Sequence, residues 1–566
     1  MMARVFRPVS QRLAARAATL RVIAAGIAAV GVIGAYLAYL ARYATNGVYW
    51  DEWNWVAIFR TASLGHLTFQ DLWAQHNEDR MFFPNLIMLV IGHATRFTEV
   101  PFIYLGAALL IAAFILLAIG CRDDVRRHPL LYAPCVLVVF SLAQYQNSLW
   151  AFQIGWFLIV ACICGVLVLL SGPQIRSWQV AAAMTLAVIA SYSSLQGLTV
   201  WPAGLLLLLR PRVSARLRIS WCVIACLVTL VYMWNLDFAQ LGGPPLSQFL
   251  SDLPTALSGV LVTAGSVAPN LNAATPTGTD YTATMFLGAM ILFGGCLVIT
   301  SWAVHGRRDR VLAIASALVV VGILFDLSLM PSRLSAGVVN GTVSRYTTFN
   351  LLLLTGVYLG AVRTLCLSVT GSSGLRIALS SVGVGFVAAI LCIQVPVSVD
   401  AGILGGRATR AEHAEVADLT ANFTIAPPSL VAAFGYPPSD SYFTSLAEYL
   451  SAHHLNVFGD GEAASYRETG VLAGGRVTYV LPVPPNLGSI QSQGSTWRAW
   501  LALSSVYDQR PDLQAAFPEP STTASEQMIA WVVASGLPED DPIYTPVLTP
   551  YAANYRMWAL EDNASP

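Results

Sequence analysis

The sequence predicts an α-helical polytopic membrane protein carrying a smaller α/β domain at its C-terminus. Three observations predict it. Hydrophobic residues make up 56% of the 566 residues and charged residues only 11%, about half the charged share of an ordinary soluble domain. The apolar excess falls in runs near the roughly 20 residues that a helix needs to cross hydrocarbon, and these runs fill residues 20 to 395. The net charge of zero hides a split. Residues 1–395 carry 24 Arg against 13 acids, and residues 396–566 carry 7 Arg against 18. These numbers argue against a soluble cytosolic enzyme and divide the chain into a membrane part, 1–395, and an acidic soluble part, 396–566.

About eleven runs qualify as spans: 20–42, 101–120, 129–145, 152–171, 178–193, 197–210, 219–236, 284–303, 311–330, 348–367 and 376–395. The run 84–95 is too short to cross and reads as a helix lying on the membrane surface. The Arg positions support that choice, because cytoplasmic loops collect positive charge. With the N-terminus inside, inner segments hold Arg4 to Arg21, then Arg122, Arg126 and Arg127, then Arg176. Further inner loops hold Arg210 to Arg218, then Arg307, Arg308 and Arg310, then Arg376. The acids expected on that side are only Asp123, Asp124 and Asp309. An odd number of spans places 396–566 outside. The first apolar stretch is longer than a signal-peptide core, so it reads as a retained span. The longest later outer loop is 240–283, in which 253–267 reads as a surface helix or lid.

All 31 basic residues are Arg. That excludes a P-loop lysine and a Schiff-base lysine and fits a GC-rich bacterial genome, hence a bacterial plasma membrane. Nearly all of the nine Cys lie within apolar runs, and none lies in the C-terminal part, so neither a disulfide framework nor a Cys-rich zinc site is indicated.

The polar chemistry gathers in the first outer loop, 44–100. It reads Val48-Tyr49-Trp50-Asp51-Glu52-Trp53-Asn54-Trp55 and then His76-Asn77-Glu78-Asp79-Arg80-Met81-Phe82-Phe83-Pro84. Adjacent carboxylates just past a span could deprotonate an acceptor hydroxyl or hold a divalent cation. The Trp faces could hold a sugar ring or a lipid edge, and they equally suit an interfacial aromatic belt. At the other outer ends, Arg345-Tyr346 follows Pro331-Ser332-Arg333. The Arg345 fork suits a lipid phosphate, and an Arg there could also snorkel to head groups. Gln146 lies in a polar-aromatic turn, 144–153, whose amides suit sugar hydroxyls. Ser191 to Gly197, with Gln196, is expected near the same face. Asp326 is the one acid well inside a later span, and such acids are functional suspects.

An acidic pair immediately after span one, followed by a polar segment and a proline leading into a surface helix, resembles the integral-membrane glycosyltransferases of the GT-C superfamily. That resemblance implies a many-spanned fold with an extracytoplasmic C-terminal domain. It implies a polyprenyl-phosphate-linked sugar donor and an envelope glycan or lipid acceptor. It makes Asp51 the catalytic base, with Glu52 as the alternative base or as a ligand, beside Asp51, for Mg²⁺ or Mn²⁺. Glu78 is a further catalytic candidate that would shape the site together with Arg80, and His76, Arg80, Arg345, Tyr346, Gln146 and Trp50 would bind substrate. The second segment departs from the His-Pro-Pro pattern common in that superfamily, which leaves the roles of His76 and Glu78 open.

Other motifs carry less. Gly383 to Ala388 matches a dinucleotide fingerprint in letters but sits in a span, without the strand-to-helix context. His453-His454 has no convergent acids. In the C-terminal part, 411–421 and 441–453 have helical periodicity and 475–483 alternates as a strand. The segments 512–518 and 527–536 resemble a short helical pattern of bacterial glycan-assembly proteins. Tyr442, Trp497, Trp500, Trp531 and Trp558 suit either glycan binding or a core. The acidity of this part disfavours nucleic acid. Two rival functions stand beside the glycosyltransferase: a transporter or flippase of envelope glycolipid precursors, and a noncatalytic membrane scaffold.

Overall fold

The computed structural model describes residues 2–211, 213–237, 246–269, 271–275, 278–304, 309–335, 337–371, 374–421, 440–459, 467–472 and 476–480. The chain divides into two compact units. One comprises Met1–Arg42, Phe69–Leu86 and Ile103–Gly406, and the other Tyr43–Thr68, Ile87–Phe102 and Arg407–Pro566. This differs from the division at 395 that composition suggests. The helix Gly374–Ala421 runs through Pro396 without ending, and pieces of the first outer loop cluster with the C-terminal segment. Hydropathy reports the solvent a segment prefers, whereas the units follow contacts.

Among the described residues, nine helices are long and apolar enough to cross a membrane: Ala18–Tyr43, Val100–Gly120, Pro129–Leu149, Ala151–Leu170, Ala215–Met233, Thr282–Val304, Arg310–Leu334, Ser344–Val369 and Ser380–Ala414. The chain is therefore a helical polytopic membrane protein. Each of the nine matches one expected span. The other two expected spans are the shorter helices Ser177–Ser191 and Leu195–Leu208. Fifteen residues of helix rise only about 22 Å, less than the ~30 Å hydrocarbon core. The polar break Ser191 to Gly197 takes up residues that a sliding hydropathy reading counts as span.

In the first unit, contacts fix which segments share an end of the helix bundle. The Arg310 guanidinium donates to the Ser171 hydroxyl (3.0 Å). Arg210 donates to the carbonyls of Leu170, Ser171 (2.9 Å) and Gly172 (2.9 Å), where it caps the unpaired carbonyls ending the helix Ile154–Leu170. Arg363 forks between Asp124 (3.0 Å) and Asp309 (2.7 Å), and Asp309 also caps the helix Arg310–Leu329 through the Leu312 amide. The segments 122–127, 171–176, 210–218 and 307–310, read from sequence as one side of the membrane, thus supply residues to one end. At the far end of Arg310–Leu334, some 25 residues or about 37 Å away, Arg333 pairs with Glu78 (3.2 Å).

The helix Leu253–Gly265, expected as a surface helix or lid, packs against Thr282–Val304 instead. A Cβ on Gly265 would overlap the Thr284 carbonyl, and one on Gly288 the Leu261 carbonyl. Small residues let the two backbones touch.

The second unit is built around α2 (Glu52–Ser63), which follows α1 (Met2–Tyr43) in the chain. Trp53 and Trp55 of α2 are fully buried. Trp53 packs edge-on against Phe443 (5.0 Å) and Trp55 against Phe102 (5.6 Å). These two Trp are core residues, while Trp50 keeps 37% of its surface exposed. The expected helix at 441–453 is Asp440–Ala452. The expected strand is Arg476–Val480, paired antiparallel with Arg467–Leu472. The segments 512–518 and 527–536, with Trp497, Trp500, Trp531 and Trp558, lie outside the described residues.

Candidate functional site

The segment His76 to Arg80 forms a two-stranded hairpin, β1 (Gln75–His76) against β2 (Asp79–Arg80). It sits between the short helix α3 (Phe69–Trp73) and α4 (Phe82–Thr95). Asn77 takes the left-handed turn, with φ +52°, as Asn tolerates better than most residues. The hairpin is held from below by Arg80. Its guanidinium donates to the carbonyls of Trp73 (2.8 Å), Trp234 (2.7 Å) and Tyr232 (3.5 Å), and its amide to the Tyr232 hydroxyl (3.1 Å). That hydroxyl in turn donates to the Glu78 carbonyl (2.8 Å). Arg80 is buried and engaged with main chain, so it positions the hairpin and does not offer its charge to a ligand.

The two hairpin carboxylates have different partners. Glu78 meets Arg333 through both oxygens (3.2 and 3.4 Å). Asp79 accepts from the Ser194 hydroxyl (2.8 Å) and the Leu195 amide (2.8 Å). Burial pushes the Asp79 carboxyl up, the Glu78 charge adds to this, and the two hydrogen bonds and His76 oppose it, leaving it at about 6. His76 is half-buried and edge-on to Phe152 (5.3 Å).

Two further segments of this unit complete the picture. The Gln146 side-chain oxygen accepts from the Arg345 main-chain amide (3.2 Å), and the Gln146 main-chain amide donates to the Ser344 hydroxyl (3.3 Å). Asn147 donates to the Arg345 carbonyl (2.6 Å) and the Thr348 hydroxyl (2.7 Å). The half-buried Arg345 guanidinium lies over the Tyr346 ring at 5.5 Å. Tyr346 is buried and stacked near Trp156 (6.3 Å, 23°), so it packs as core beneath Arg345. The structure thus joins Glu78 to Arg333, Asp79 to the 194–195 turn, and Gln146 to 344–345. Sequence reading singled out each stretch but neither Asp79 nor the Arg333 pairing. The signal for Asp79 was its adjacency to Glu78, since like charges side by side move one of the two titrations.

Asp51, Glu52 and Trp50 belong to the second unit. Trp50 adopts φ +47°, a strained conformation for a large side chain. The turn is latched by Glu52, whose carboxylate accepts from the Tyr49 amide (2.7 Å). Glu52 is 1% exposed and hydrogen-bonds Glu99. Glu99 also accepts from the Gly47 amide (3.3 Å) and the Asn456 side chain (3.3 Å). Burial, then the neighbouring Glu52, hold the Glu99 carboxyl well above the usual range. Glu52 therefore acts as a structural latch. Asp51 is half-buried at the start of α2.

Mg²⁺ and Mn²⁺ take oxygen ligands at several positions around the ion. With Glu52 committed to Tyr49 and Glu99, Asp51 and Glu52 do not fit a two-carboxylate cradle. Among the described residues no three His, Cys, Asp or Glu side chains converge as a metal site. No family model, curated protein sequence or solved structure matches the chain.

Proposed function

We propose that the chain is a GT-C-type membrane glycosyltransferase. It would move a sugar from a polyprenyl-phosphate donor to an extracytoplasmic glycan or lipid acceptor in a bacterial plasma membrane. The observation that carries this reading is the acid–arginine cluster at one end of the first unit. There, a carboxyl held near neutrality (Asp79) stands beside the Glu78–Arg333 pair. A general base works best when its pKa lies near the operating pH. In this reading Asp79 takes the acceptor hydroxyl's proton as the sugar leaves its phosphate. Arg345, which has no carboxylate partner among the described residues, binds that phosphate through its two-pronged fork. The family resemblance assigns the base role to Asp51, so the two carboxylates are rivals for it. Eleven crossings, an inner N-terminus and an outer C-terminal part belong to the same proposal.

A transporter reading has one observation in its favour. Asp326 is fully buried within a span and hydrogen-bonds Asn350 (2.9 Å), and intramembrane acids often mark transport pathways. Glycan analysis of a deletion strain separates the readings. The strain is complemented with wild type, Asp51→Asn, Asp79→Asn or Asp326→Asn, with expression checked in each. Loss of a specific sugar on deletion, not restored by Asp79→Asn or by Asp51→Asn, supports transfer and identifies the base. An unchanged set of envelope glycans on deletion overturns the proposal. Failure confined to Asp326→Asn favours transport.

A further inference from the structure

The first unit contains an apolar crevice of about 250 Å³. It is lined by Val22, Gly26 and Ala29 of α1, by Leu117 and Ala118 of α5 (Val100–Gly120), and by Leu359 of Ser344–Val369 among others. Only two lining side chains carry oxygen, Tyr132 and Thr355, and both hydroxyls are turned to protein partners. Tyr132 donates to Asp124 (3.3 Å) and Thr355 to the Leu351 carbonyl (2.7 Å). α1, α5 and Ser344–Val369 contribute helices long and apolar enough to cross a membrane, so a bilayer around them would set hydrocarbon against the crevice. The volume is below the ~300–1,000 Å³ of drug-sized sites and suits a length of chain. Gly26 leaves the floor open, since a Cβ there would meet nothing within 4 Å.

The location adds a charge. Tyr132 and Asp124 place the crevice near the Asp124–Arg363–Asp309 cluster, at the bundle end opposite Glu78–Arg333. Exposed arginines adjoin its lining residues in the chain: Arg21 beside Val22, and Arg126 and Arg127 just after Val125. Asp124 does not offset them, because it is buried against Arg363. The exposed Asp123 stands by Arg122 (3.8 Å).

We propose that this crevice is a binding site for a phospholipid of net negative charge, with one hydrocarbon chain in the crevice and the anionic head group at Arg21, Arg126 and Arg127. A buried chain contributes through each methylene that packs in the crevice, and each basic residue near an anionic head group adds electrostatic attraction. The site does not rest on the glycosyltransferase reading.

Native mass spectrometry of the full-length protein in detergent tests it, with phosphatidylglycerol and phosphatidylcholine as probes. Wild type is expected to retain one phosphatidylglycerol in preference to phosphatidylcholine by about tenfold or more. Gly26→Phe, which adds a ring at a lining position where a Cβ meets nothing within 4 Å, should abolish that retention. The triple change Arg21→Gln, Arg126→Gln, Arg127→Gln alters exposed side chains alone and should remove the preference between head groups. Equal retention of both lipids by wild type overturns the proposal. So does undiminished phosphatidylglycerol retention by a folded Gly26→Phe protein. Should Gly26→Phe fail to fold, the arginine variant decides, and an unchanged head-group preference in it overturns the site.

Discussion

Asp79 shows how one side chain can be legible in sequence as part of a motif and still be missed in its role. Its neighbour Glu78 spends its charge on Arg333, whereas Asp79 is held by a hydroxyl and an amide. With its carboxyl at about 6 against an ordinary 3.8, the folded protein binds this proton more tightly than the unfolded chain does. The linkage sign follows: ionised Asp79 costs the fold stability above about pH 6, and that cost is relieved as pH falls from 6 towards 4. Relative to Asp79→Asn, wild type should therefore gain about 1 kcal/mol between pH 6.5 and 4.5, allowing for solvent screening at a half-buried site. Thermal unfolding of the detergent-solubilised pair measures this, and parallel curves would show that Asp79 is not shifted. If Asp79 is the base, sugar transfer by membranes should rise with pH through about 6. Asp79→Asn should lower it by roughly 100-fold or more, while Asn at this position can still accept from Ser194 and Leu195.

At the scale of elements, apolar length in the sequence locates the nine long helices found among the described residues but not how closely they approach. Approach distance depends on which glycines face a backbone, and spacing alone does not reveal that. Gly288 lines up on the Leu261 carbonyl, where main chain cannot yield as a side chain could. Gly288→Ala should separate Leu253–Gly265 from Thr282–Val304 and cost about 1–3 kcal/mol or more, lowering the apparent Tm of the solubilised protein by several degrees. An unaltered Tm would mean that the two helices are not in contact. Arg210 illustrates the opposite case. Its loop was read as a positive charge for the inner face, yet its guanidinium is buried and caps the carbonyls ending Ile154–Leu170. Arg210→Gln should cost about 2–3 kcal/mol, since hydrogen bonds from a charged donor are lost to buried acceptors. Arg210→Lys should recover only part of that, because an ammonium lacks the planar fork. A Lys variant as stable as wild type would leave charge alone as the requirement.

At the scale of the molecule, the arginine positions group loops that contacts in the first unit bring to one end of the bundle, whereas the two short helices are not separable from full spans by hydropathy. The contacts of Ser177–Ser191 and Leu195–Leu208 bear on whether they cross. The chain enters this pair at Ser171, which Arg310 and Arg210 both touch, and leaves it at Arg210. Between the two helices, Ser194 and Leu195 hold Asp79, next to the Glu78–Arg333 pair at the other end of Arg310–Leu334. The pair therefore runs towards the far end of the bundle and back, although neither helix alone has the length of a full span. Its polar turn would then lie at a wet, protein-lined surface, where irregular backbone is tolerated. Removing two consecutive crossings would in any case leave the parity of everything downstream unchanged. Single-cysteine labelling in a Cys-free background, with an impermeant maleimide on intact cells, reads this directly. Cysteines at Gln174 and Arg216 should stay unlabelled, and one at His453 should label, as the charge split requires. Labelling at both Gln174 and Arg216 would invert the orientation, and labelling at only one of them would show that 177–208 crosses an odd number of times.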